Sequence, residues 1–191
     1  MAAATDRYTA VAVALHWIIA ALILGQIAGG FYMHNLPNTA ENKFQLYQLH
    51  KSFGITILLL SLGRLGWRFA HPAPPQPSGM PGWQRTCATV SHWGFYGLMI
   101  GVPLLGWAMV SASPWGIPTK LFGVVPWPHL PILSGLENKE PVEEVFKELH
   151  EAFAKLILLL LAVHVGAALK HHFVDKDGVL VRMIPALKPK A

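Results

Sequence analysis

Four long apolar runs govern what this chain can fold into. They cover about residues 10–33 (AVAVALHWIIAALILGQIAGGFYM), 50–70 (HKSFGITILLLSLGRLGWRFA), 88–111 (ATVSHWGFYGLMIGVPLLGWAMVS) and 147–171. About 20 apolar residues cross the hydrocarbon as a helix. The runs therefore predict an all-α membrane protein, an antiparallel four-transmembrane-helix bundle forming a single domain over residues 1–191. Only 13% of the residues are charged, against about 25% in soluble domains. The first run exceeds the roughly 7–15 apolar residues of a signal peptide and carries His16, so it reads as a retained span.

Charge sets the expected orientation, because cytoplasmic loops are rich in Lys and Arg. Arg7, Arg64, Arg68, Arg85, Lys170, Lys176, Arg182, Lys188 and Lys190 fall on one side, and Lys43, Lys51, Lys120, Lys139, Lys147 and Lys155 on the other. The first set is the larger, which puts both termini in the cytoplasm. The opposite side carries the acidic stretch ENKEPVEEVFKE. The basic residues flank apolar runs, so the expected partner is the lipid bilayer and not nucleic acid. The linker HPAPPQPSGMPGWQ, 71–84, is too rich in proline to be helical throughout. The single cysteine, Cys87, excludes an internal disulfide and is expected to be a small buried residue. Trp67, Trp115 and Trp127 lie near span ends, where interfacial tryptophans are common.

The stretch HEAFAKLILLLLAVHVGAALKHH, 150–172, reads as a span yet carries four histidines. Ionisable groups at membrane depth are costly and mark function. His150 and His164 are separated by about 21 Å of helical rise and about 1400° of rotation, roughly 40° short of whole turns. They share one face, near opposite membrane surfaces. Alternating helix direction puts His16 at the depth of His164, and His50 at the depth of His150. Neutral imidazole is the commonest metal ligand and suits iron. Two depth-matched pairs, His16/His164 and His50/His150, are the pattern required to hold two haems stacked across a bilayer. Gly30 follows His16 by fourteen residues and Arg64 follows His50 by fourteen. Gly30 would let a porphyrin approach the backbone at the outer depth, or serve plain helix packing. Arg64 would meet an inner propionate or a quinone oxygen, or snorkel to the surface. His92 falls at the inner depth, where it would bond a propionate or act as an alternative ligand. His34, His71 and His129 read as surface groups.

These features resemble the bacterial cytochrome b561 family, in its short four-helix, quinone-linked branch. The resemblance rests on RYTAVAVALHW, LHKSFGITILLLSLGRLGWR, VSHWGFYGLMIGVPLLGW and HEAFAKLILLLLAVHVGAALKHHFVDKDGVLVRMIP, and covers nearly the whole chain. It implies two haem b groups with His16, His50, His150 and His164 as axial ligands. It implies electron exchange with ubiquinone and residence in the bacterial inner membrane. It also carries the His-His position onto His171, as a proton partner near the quinone. His171 lies about 10 Å beyond His164 and about 20° off its face, too close for a separate haem; His172 points elsewhere, towards solvent.

Some members that this chain resembles pass an electron from superoxide to ubiquinone, so superoxide oxidase activity is the leading expectation. The alternative is a non-catalytic cytochrome exchanging electrons between quinone and a redox partner, with the acidic stretch as a dock for a basic protein. Free-metal transport would add carboxylates within the spans, and none lies well inside them.

Overall fold

The computed structural model describes residues 7–184 and 187. Pro185, Lys188 and Lys190, which enter the motif and charge reading, lie outside the described residues. Helix α1 covers Ala10–Asn35, capped by Thr9, whose Oγ1 accepts the Ala12 N–H at 3.2 Å. It stops where Pro37 forces Leu36 into an extended conformation. Helix α2, Lys43–Ala70, ends in the same way at His71, which precedes Pro72. Helix α3, Gly82–Ser111, begins directly after Pro81 and carries Pro103 in its interior. A two-stranded antiparallel hairpin follows, β1 (Thr119–Leu121) and β2 (Val125–Trp127), then the single turn α4 (Pro131–Ser134). Helix α5 runs Glu140–Lys170 and continues as a π-helical turn, His171–Asp175.

Among the described residues, α1, α2, α3 and the continuous segment from Glu140 to Asp175 are long and apolar enough to cross a membrane. The expected all-α bundle stands, with the small hairpin as an addition. The spans themselves are longer than the apolar runs. α2 begins seven residues before 50, α3 six before 88 and α5 seven before 147. Those extra turns (KFQLYQL, GWQRTC and EPVEEVF) are amphipathic or polar, so hydropathy does not mark them, yet helix geometry continues past the apolar limit.

The helices alternate in direction. At one end, Trp67 Nε1 donates to Thr9 Oγ1 at 2.9 Å, joining the close of α2 to the start of α1. At the other, Gln26 Nε2 donates to the His50 carbonyl at 2.8 Å. α1 packs along α2, α2 along α3, and α3 along α5, whereas α5 makes no comparably close backbone approach to α1 or α2. The hairpin sits on the far end of α2. Phe122 N–H donates to the fully buried Ser52 Oγ at 2.9 Å, and Phe122 packs edge-on against Phe53. Its turn uses Phe122 and Gly123 at positive φ. Ser111 Oγ accepts the Leu130 N–H and Trp107 Nε1 donates to the Pro128 carbonyl, fastening the segment before α4 to the end of α3.

Two surface expectations change. Cys87 is exposed, because it sits in the opening turns of α3 ahead of the packed part of that helix. His129 is half-buried beneath this fastened segment, and its Nε2 is buried without a hydrogen-bond partner.

Candidate functional site

The four histidines at matched depths meet in the expected pairs. The ring centres of His16 (α1) and His164 (α5) lie 6.3 Å apart, and those of His50 (α2) and His150 (α5) lie 6.2 Å apart. A metal–imidazole bond is about 2.0 Å and a ring centre lies roughly 1.1 Å behind its nitrogen, so two imidazoles on opposite sides of one iron have centres about 6.2 Å apart. Both pairs bridge helices that do not pack closely on each other, which is where a planar group fits between side chains.

The ring nitrogens fit this use. His150 Nδ1 lies 2.9 Å from the Val102 carbonyl of α3, which fixes the proton on Nδ1 and leaves Nε2 with its lone pair. A Cβ built on Gly106 would lie 3.1 Å from both Nδ1 and Cε1 of His150, so this ring rests directly on the backbone of α3. His50 Nδ1 is buried with no partner. Gly30 lies beside the same pair: a Cβ there would meet His50 Cε1 at 3.8 Å.

At the other end His164 is surrounded. The His92 ring centre is 5.9 Å away and that of Phe95 5.2 Å, in addition to His16. His92 and Phe95 come from α3, which packs closely along α5, whereas His16 comes from α1, which makes no comparably close approach to α5. Arg64 Nη1 donates to the Ala12 carbonyl at 3.0 Å, one turn before His16. Arg64 lines a small cleft with Tyr8, Trp67, Arg68, His71 and Tyr96. His71, exposed as expected, is stacked on Trp67 with ring centres 4.0 Å apart.

The chain from residues 7 to 186 matches the family model described as prokaryotic cytochrome b561. The chain belongs to the prokaryotic cytochrome b561 family. It is similar to two Escherichia coli K12 proteins named cytochrome b561 homolog 2 and cytochrome b561 homolog 1. The first is 32% identical over 94% of this chain and 92% of the relative. The second is 27% identical over 96% of this chain and 99% of the relative. A Yersinia pestis protein bearing the name "Probable superoxide oxidase" is 30% identical over 94% of this chain and 96% of its own length. Membership makes this a multi-pass bacterial membrane cytochrome of the electron-transport oxidoreductase type, and it implies b-type haem.

Further along this cytochrome, His171 is half-buried and held by acids: its Nδ1 lies 2.6 Å from Asp177 Oδ2 and 3.2 Å from Asp175 Oδ2. Asp175 also pairs with Lys170 at 2.6 Å. His172 is half-buried against Phe173 and not simply solvated. The sequence reading missed Gly106, the Val102 carbonyl and Asp177. The signal available for the first two was GVPLLG, a small residue one turn after a carbonyl beside a helical proline.

Proposed function

We propose that the cytochrome holds two haem b groups, one between His16 and His164 and one between His50 and His150, and moves electrons across the inner membrane to ubiquinone. Superoxide is the proposed donor. The observation that carries this reading is the pair of ring separations, 6.3 and 6.2 Å, each bridging helices that stand apart. The proposed orientation places both termini in the cytoplasm, with His50 and His150 outermost.

Bound there, haem held by these histidines would supply one-electron chemistry. The protein does the rest. The Val102 carbonyl and Gly106 orient His150. Arg64 stands beside His16 with donors to spare beyond the one given to Ala12, available to a propionate or a quinone oxygen. Asp177 fixes His171, whose other nitrogen faces proton exchange with the quinone. The net reaction is two superoxide plus one quinone plus two protons giving two O2 plus one quinol. Lys51, Lys120 and Lys155 form no ion pair among the described residues, leaving cationic groups on the donor side for a small anion.

A second reading, electron exchange with a basic soluble protein, is favoured by the exposed acids Glu137, Glu140, Glu144 and Glu148 on that same side. A dithionite-reduced minus oxidised spectrum of the purified protein, with haem counted, decides the core of the proposal; superoxide and then ubiquinone are added afterwards. Two b haems reduced by superoxide and reoxidised by quinone support the oxidase. Two haems that exchange with quinone but ignore superoxide favour the second reading. Fewer than two haems overturn the pairing.

A further inference from the structure

The two ends of the bundle treat their histidines differently. Among the described residues neither the His16 nor the His164 ring makes a hydrogen bond, and His50 Nδ1 is buried without one. His150 alone of the four donates from Nδ1, to the Val102 carbonyl at 2.9 Å. That carbonyl lies one turn before Gly106, on a helix that carries Pro103 in its interior. A side chain at 106 would fall across the path of the ring: its Cβ would stand 3.1 Å from Nδ1 and from Cε1 of His150.

We infer that Gly106 and the Val102 carbonyl are positioning elements for His150: the missing side chain admits the ring to a backbone acceptor, and the acceptor holds its tautomer and strengthens it as an electron donor to iron. This rests on His150 being an axial ligand. A hydrogen bond to the distal nitrogen raises ligand basicity. A more basic ligand favours ferric iron, so the centre held by His50 and His150 has a lower midpoint potential than it would without the bond. Gly106 touches no reacting atom; it acts through His150.

The test uses the haem-loaded protein. Gly106→Ala is compared with Gly97→Ala on the same helix, where an added Cβ meets nothing within 4 Å. Haem content is counted first. Both midpoints are then titrated spectroelectrochemically, and the low-spin electron paramagnetic resonance signals are recorded. The expected result for Gly106→Ala is two haems, one midpoint moved upward with a changed highest g value, and the other centre unmoved; Gly97→Ala moves neither. Two haems with both midpoints and both signals unchanged in Gly106→Ala overturn the inference and leave the ligand assignment intact. Two haems retained in His150→Ala overturn the assignment instead. If Gly106→Ala loses haem, the unsubstituted protein labelled with 15N-histidine decides by magnetic resonance. A His150 Nδ1–H protected from deuterium exchange supports the inference; one exchanging as fast as the exposed His34 overturns it.

Discussion

Arg64 on α2 reaches across to α1 and donates from Nη1 to the carbonyl of Ala12 at 3.0 Å, one turn before His16. A guanidinium has five N–H donors in a rigid fork, so it can hold this carbonyl and still face a carboxylate or quinone oxygen. An ammonium is a compact point charge and does the two jobs poorly. Arg64→Lys is therefore expected to lose about 1 kcal/mol of stability, and Arg64→Leu about 1–3 kcal/mol. Both should shift the midpoint of one haem and leave the other in place. Thermal unfolding followed by haem absorbance, with a redox titration, checks both parts.

The pairing itself makes a cross-test. His16→Ala and His164→Ala should remove the same spectral component, and His50→Ala and His150→Ala the other. His92→Ala should keep two haems, because its helix packs tightly against α5 and its ring flanks His164. Haem counts and low-temperature difference spectra of the five variants give the answer. Loss of one whole haem in His92→Ala would move the ligand from α1 to α3.

Much of this arrangement was legible in the residues. The fourteen-residue spacing of His150 and His164 and the alternation of spans bring His16 beside His164 and His50 beside His150, because helix pitch converts number directly into depth and face. The span starts were not legible, since KFQLYQL and EPVEEVF are helical without being apolar. The Val102 acceptor was hidden because every residue has a carbonyl, and only packing decides which one meets a ring. Asp177 was hidden for a different reason. Six residues after His171 it would point away on an α-helix. The π-helical turn and the left-handed Lys176, at φ 55°, turn the chain back and bring its carboxylate to 2.6 Å.

The Ser52 hydroxyl ties two elements together. It is fully buried, donates to the Gln48 carbonyl at 2.8 Å and accepts the Phe122 N–H at 2.9 Å. Ser52→Ala leaves that N–H without its acceptor beneath the hairpin. Phe122 is half exposed, so water can take over part of the bond and the cost is at the low end, about 1 kcal/mol. The loss should be local, with faster hydrogen exchange over 119–127 and little change in the spans. Uniform acceleration across α2 would mean that Ser52 supports the bundle and not the hairpin.

Asp177 holds His171 through Oδ2 while its Oδ1 accepts the Val179 N–H at 3.0 Å. Asp177→Asn can keep an oxygen for Val179 but presents an NH2 group to His171 Nδ1, where a donor already stands. The ring must then turn or change tautomer, so its other nitrogen is no longer held in one fixed state for the proposed proton exchange. A positioned acid or base contributes about 10²–10⁴ in rate when intact, so partial misplacement should slow quinone reoxidation by roughly tenfold or more. The His16/His164 and His50/His150 pairs lie on other turns, so haem content and both midpoints should stay as they are. Stopped-flow reoxidation of the pre-reduced protein by a soluble ubiquinone separates the outcomes. A slower rate with unchanged spectra assigns the pair to proton exchange, whereas an unchanged rate confines Asp177 to folding the turn after α5.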